Sequence, residues 1–294
     1  MRGSKRPRDC PLNHKVISRI DRRALLAVPA ALVWTALFLV PLFFFFVIGF
    51  WSVKSRIMRP DFTLKNYASA IGDYGDVLLY TLGMAFAVAA ATTMLAYAFA
   101  YAIRFRAGRY GDALLFVTLI TLFGGYLVKI YAWKSILGRD GILNGVLLWM
   151  GAVDEPLSVL IYSSYAVIIT LVYFLLPFAI LPIYGSLRSI SDELIEAARD
   201  LGSTPLRAAR DIVLPQCERG IAIAFLLSFL IAAGDYVTPR FVGGGASMMG
   251  HFIETQFSFG FNWPMGSAMA YTLMASSLAV TLVCRFLFRK SIGA

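Results

Sequence analysis

The chain has 294 residues, of which 59% are hydrophobic and only 15% charged; its net charge is +10 and its mean hydropathy +0.72. A soluble domain is about 45–50% apolar with about a quarter of its residues charged, so this composition excludes an ordinary soluble enzyme and puts most of the chain in lipid. Backbone amides in lipid must pair within their own segment, and the period-two alternation of a membrane barrel is absent; the expectation is an all-α polytopic membrane protein.

A basic arm, residues 1–23, comes first, with Arg2, Lys5, Arg6, Arg8, Lys15, Arg19, Arg22 and Arg23. The apolar run behind it is longer than the h-region of a cleavable signal, so it reads as a retained anchor. From about 20 apolar residues per helical crossing, six spans are placed at 27–51, 77–103, 113–133, 159–184, 220–241 and 265–288. They form one membrane domain, 24–294. The third is interrupted by Gly124, Gly125 and Lys129, and Lys129 is expected to snorkel toward headgroups or water. Between spans, 142–149 is apolar but too short to cross and reads as a surface helix; 248–257 reads as another short helix at the outer side.

Lys and Arg mark the cytoplasmic side. They are dense in the arm, in the connection with Arg104, Arg106 and Arg109, in the connection with Arg188, Arg199, Arg207, Arg210 and Arg219, and in the tail with Arg285, Arg289 and Lys290. Both termini are therefore read as cytoplasmic. Anionic headgroups account for the positive charge, so no nucleic-acid partner is inferred. Cys10, Cys217 and Cys284 fall on or near the reducing side, and no disulfide is expected. His14 and His251 stand alone, without a second ligand at metal spacing.

The cytoplasmic loop 185–219 carries the most ordered pattern: Glu196-Ala197-Ala198, then Gly202, then Ile212, Leu214 and Pro215. Ser191 can cap a helix whose first turn holds Asp192 and Glu193. Gly202 suits the left-handed residue that ends it. Thr204-Pro205 restarts a second helix, with Leu206, Ala209, Ile212 and Val213 at helical spacing, and Pro215 is expected to end that pattern. Taken alone, this is a helix, a glycine corner and a helix just below the membrane, which an ordinary connecting loop could also be.

The pattern resembles the E-A-A coupling loop of bacterial ABC importer permeases at Glu196, Ala197, Ala198, Gly202, Ile212, Leu214 and Pro215. The resemblance implies a type I permease fold and docking of the loop in a groove of a cytoplasmic ATPase dimer. It also implies a periplasmic substrate-binding protein. The chain has no G-x-x-x-x-G-K-[ST] phosphate loop, so ATP and Mg belong to the partner ATPase, and no cofactor is expected here. Other segments resemble the polyamine (spermidine/putrescine) branch: 126–133, Gly141-Ile142-Leu143-Asn144, Gly234-Asp235-Tyr236-Val237-Thr238-Pro239 and Asn262-Trp263-Pro264. Lys129 and Asn262 depart from that branch, which has Arg and commonly Asp there. The branch implies a second, homologous permease and an inner-membrane location.

A polyamine suits carboxylates spaced along an aromatic path. Asp235 is the strongest candidate, since it follows a long apolar run; Glu254, Tyr131, Trp133, Tyr236 and Trp263 join it. The competing readings are that Asp235 caps the next turn or pairs with Arg240, that Glu254 is solvated, and that the aromatics are interfacial belt residues. Other importer cargoes weighed are opines or other amino-acid derivatives, ferric iron and an oxyanion. A stand-alone secondary transporter or channel needs ionisable groups within the spans, and they are scarce here; a membrane-embedded enzyme needs a catalytic constellation that the sequence lacks.

Overall fold

A computed structural model describes residues 28–54, 57–244 and 248–292. The basic arm, with Cys10 and His14, lies outside the described residues. The chain divides into two compact units, Met1–Ile48 and Gly49–Ala294. The first holds helix α1, Val28–Ile48, an apolar helix with a π-helical turn at Thr35–Leu39.

The second unit opens with an antiparallel hairpin, β1 (Ser52–Lys54) on β2 (Ile57–Arg59), in register Ser52↔Arg59. It is a small exception to the all-helical expectation. Asn66 pins the segment before it by donating to the carbonyls of Gly49 (2.9 Å) and Trp51 (2.7 Å). Helix α2, Lys65–Gly72, follows, then the long α3, Gly75–Phe105.

The third span, placed at 113–133 with an interruption at Gly124 and Gly125, is broken there. Helix α4, Gly111–Ile120, runs through a 3-10 turn to Phe123, and α5, Tyr126–Leu137, leads into α6, Ile142–Trp149. The two halves meet at 101°. Gly124 and Gly125 are both extended (ψ 131 and 140), so the hydrogen-bond ladder stops there. The turn also corrects the expectation for Lys129. Rather than snorkelling to water, it is buried, with Nζ 5.2 Å from the centre of the Phe174 ring, a cation–π placement.

Helix α7, Ser164–Arg188, is capped by the Ser163 hydroxyl, which accepts from the Ala166 amide. Next come α8 (Asp192–Asp200), α9 (Pro205–Gln216), α10 (Glu218–Gly234), α11 (Val237–Val242), α12 (Met249–Ser258) and α13 (Trp263–Ile292). Span five was expected to run to 241, but its helix stops at Gly234, where Asp235 turns extended. Among the described residues, four helices are long and apolar enough to cross a membrane, and there are up to six crossings if each of two bent pairs counts as one.

Helices α3, α7 and α10 pack together as the core of this unit. Small residues permit close approach: Ala85, Ala89, Ala96 and Ala100 on α3 are fully buried. A Cβ on Gly220 of α10 would lie 2.5 Å from the Pro182 carbonyl of α7. One cluster, around Phe229, Leu171 and Val88, fills one part of the bundle; a second, around Ala100, Ile183, Leu187 and Cys217, fills the part that meets the 185–219 loop.

Candidate coupling loop and outer cavity

The loop folds as a cornered helix pair. Asp192 and Glu193 occupy the first turn of α8, where the positive end of the helix dipole favours them. Ser191 holds the N-cap position with extended backbone, yet its side chain makes no capping bond, contrary to its expected role. Asp192 reaches instead to Arg104 at the end of α3, at 2.6 Å, tying the loop to a spanning helix.

Helix α8 ends in a full Schellman arrangement. The Gly202 amide donates to the Arg199 carbonyl and the Ser203 amide to the Ala198 carbonyl, each at 2.9 Å. Gly202 has φ +82. The Thr204 hydroxyl then accepts from the Arg207 amide at 3.3 Å, with Pro205 in the first turn of α9.

Pro215 does not end α9; the helix runs to Gln216 and breaks at Cys217 with a 67° bend. A π-helical turn at Ala209–Val213, closed by the Leu214 amide on the Ala209 carbonyl, precedes the proline. The widened turn shifts the ladder, so the proline, which lacks an N–H, joins a short following turn without breaking the helix at once.

The pair has two faces. Ile195, Val213 and Cys217 are buried and join Ala100, Ile183 and Leu187 in the bundle cluster. The other face is open: Glu196, Ala197, Gly202, Leu214 and Pro215 are exposed, and Ala198 and Ile212 half-buried. At the corner, Leu201 is 90% and Leu206 80% exposed. The sequence pattern did not single out Leu201, nor the inward anchors Ile195 and Cys217. Position relative to the glycine corner was the available signal for Leu201.

At the far end of α10 a second constellation forms. Asp235 is buried and accepts from the Tyr126 hydroxyl (2.7 Å) and from the amides of Val237 and Thr238 (3.2 Å each). It caps α11, as one of the competing readings had it, and clamps α5 to that turn. Its proposed partner Arg240 binds Glu254 instead, at 2.6 Å. Thr81 on α3 holds the start of α12 by accepting from the Met249 amide at 2.7 Å. Asn144, from the Gly141–Asn144 segment, pins the outer loop by accepting from the Leu157 amide and donating to its carbonyl.

A cavity of about 540 Å³ opens between α10, α12 and α13, lined by Tyr236, Ile253, Glu254, Phe257, Leu273 and Met274 among others. Trp263 stands edge-on to Phe257, 5.9 Å between ring centres. On α5, Tyr131 meets Phe241 of α11 and Trp133 meets Tyr173 of α7. Tyr236 and Glu254 thus reach the cavity wall, Asp235 stands behind it as a cap, and Tyr131 and Trp133 face other helices. Asn262, in place of Asp, accepts from the Met265 amide at 3.3 Å; it caps α13, which an amide oxygen does as well as a carboxylate.

A family profile described as "Binding-protein-dependent transport system inner membrane component" matches residues 113–290. The spermidine/putrescine transport system permease protein PotB of Escherichia coli (strain K12) is 37% identical over 221 residues, covering 74% of this chain and 80% of that protein. The protein of that name from Haemophilus influenzae is 34% identical over 72% of this chain. Among solved structures, a chain of a bacterial alginate ABC transporter, in complex with an alginate pentasaccharide-bound periplasmic protein, superposes with TM-score 0.71 at 15% identity, covering 95% of this chain and 97% of that one.

Proposed function

The chain belongs to the family of binding-protein-dependent transport system inner membrane components, and on that premise we propose that it is the permease subunit of an ATP-driven polyamine importer. It has the type I importer permease fold and is a multi-pass inner-membrane protein. The observation that carries the cargo class is the 37% identity to a spermidine/putrescine permease across four-fifths of that protein's length. Both termini and the 185–219 loop are cytoplasmic in this reading, supported by the clustering of Lys and Arg.

The coupling residues are Glu196, Ala197, Ala198, Gly202, Ile212, Leu214 and Pro215. Their support is a cornered helix pair with one face buried in the bundle and the other open at Leu201 and Leu206. A cytoplasmic ATPase dimer receives the open face and carries out ATP hydrolysis; this chain is not itself an enzyme. ATP binding closes the dimer, and the loop moves with it. Ile195 and the Arg104–Asp192 pair hand that motion to α3 and α7. A periplasmic binding protein delivers cargo at the opposite side. The second permease is a homologue and not another copy, in keeping with the 25% identity to a PotC permease besides the match to PotB.

The proposed path is lined by Tyr236, Glu254 and Trp263, with Tyr131 and Trp133 on the neighbouring helix. Asp235 shapes it by holding α11 to α5. The test is reconstitution of the chain with its ATPase, second permease and receptor in proteoliposomes. ATP-dependent uptake of labelled putrescine or spermidine is expected; uptake of an opine, ferric iron or an oxyanion in its place would overturn the cargo, and uptake without an ATPase would overturn the class.

A further inference from the structure

Glu254 is placed unlike an ordinary solvated glutamate. It sits on α12, its side chain 15% exposed, against the wall of the 540 Å³ cavity. One carboxylate oxygen, Oε1, is held by Arg240 at 2.6 Å. The other, Oε2, is buried and accepts no hydrogen bond among the described residues; it lies 3.8 Å from His251 Nδ1, which is likewise buried without a hydrogen bond. A buried charged oxygen without a donor is costly. The remaining lining is apolar and aromatic, with Ile253, Phe257, Leu273 and Met274.

The ion pair is lopsided. The carboxylate is enclosed, while the Arg240 side chain is 42% exposed and rides on α11, a helix of six residues. Guanidinium on the open side recovers hydration when it leaves its partner, whereas the enclosed carboxylate needs a replacement cation.

We propose that Glu254 is the ammonium-binding carboxylate of this cavity and that Arg240 is its resident counter-ion, which an incoming alkylammonium displaces. The inference rests on the polyamine reading above. The primary ammonium takes the place of Arg240 on Oε1, its methylenes lie on Phe257, Leu273 and Met274, and Arg240 swings to water. Without cargo, Arg240 keeps the carboxylate neutralised, so the empty site does not hold a bare buried charge. Release of cargo is assisted because Arg240 returns to the carboxylate. Arg240 is thereby a specificity-determining residue that competes with the substrate without binding it.

The experiment measures binding of labelled putrescine to the detergent-solubilised importer without its receptor, with half-saturation of ATP-driven uptake as the second readout. Glu254→Gln is expected to weaken binding by about tenfold or more, the range for a charged hydrogen bond. Arg240→Gln is expected to tighten it by about fivefold or more, because the enclosed carboxylate then has no resident partner to give up. The double variant should be as weak as Glu254→Gln alone. If Arg240→Gln weakens binding as Glu254→Gln does, Arg240 only scaffolds Glu254 and the proposal falls; it falls equally if neither substitution changes binding or uptake. Should Glu254→Gln fail to assemble, Glu254→Asp, which keeps the charge but withdraws it by one methylene, must weaken binding, and an unchanged value overturns the proposal. A wild-type importer that takes up another solute but no polyamine refutes the cargo reading itself, whereas polyamine uptake indifferent to both positions refutes only this inference.

Discussion

Replacing Gly202 with valine isolates the corner between α8 and α9. Gly202 has φ +82, and a Cβ placed there meets nothing within 4 Å. Steric overlap with neighbours therefore adds nothing, and the cost is backbone conformation alone, about 1–2 kcal/mol for an L-residue and toward the upper end for a β-branched one. The chain has two ways to meet that cost. It can accept the strain, or it can abandon the left-handed residue and lose the Arg199 and Ala198 bonds, at about 1 kcal/mol each. Either way the cornered state is depopulated by roughly 5- to 30-fold relative to its alternatives. The bundle survives, because Ile195, Val213 and Cys217 anchor the loop through burial that the substitution does not touch. The expected result in proteoliposomes is a fully assembled importer whose uptake per ATP falls several-fold. Gly202→Asn is the control: asparagine tolerates the left-handed region, so it should stay near the wild-type ratio. Valine and asparagine variants that are equally impaired, or a valine variant with unchanged coupling, would refute the argument from backbone conformation.

Three further outcomes follow from the same structure. Arg104→Gln or Asp192→Asn removes the tie between α3 and α8; as Asp192 is largely exposed, thermal stability should drop by less than about 1 kcal/mol, while ATP-stimulated uptake falls, which parallel melting and transport assays can separate. Gly220→Val forces a side chain into the Pro182 carbonyl and the Ser186 hydroxyl, each 2.5 Å from its Cβ; loss of α7–α10 packing should reduce the folded yield in membranes, since overpacking costs about 1–3 kcal/mol or more. Burial pushes the Cys217 thiol up to about 11, leaving roughly one thiolate in ten thousand at pH 7. Alkylation of Cys217 by iodoacetamide should thus be slow at pH 7 and rise with pH, and rapid alkylation at neutral pH would show that the loop does not bury it as described.

Sequence alone determined the class and most of the elements. Lipid leaves the backbone little choice but helix, so apolar runs translated directly into α1, α3, α7 and α13. Gly202 and Thr204-Pro205 placed the corner because left-handed geometry and a preset φ are chemical properties of those residues, independent of the rest of the fold. The short helix at Ile142–Trp149 was legible for the same local reason.

What only tertiary structure decided were partners. Whether Asp235 bonds Arg240 or caps α11 depends on the turn at Gly234, and whether Lys129 reaches water or Phe174 depends on the 101° break at Gly124–Gly125. A membrane span read as an apolar count has no direction, so it cannot show which face of a broken helix turns inward. The same holds for Glu254. Its spacing on a short helix fits a solvated position as well as a cavity wall, and only the packing of α12 against α10 and α13 encloses one carboxylate oxygen while leaving Arg240 half in water.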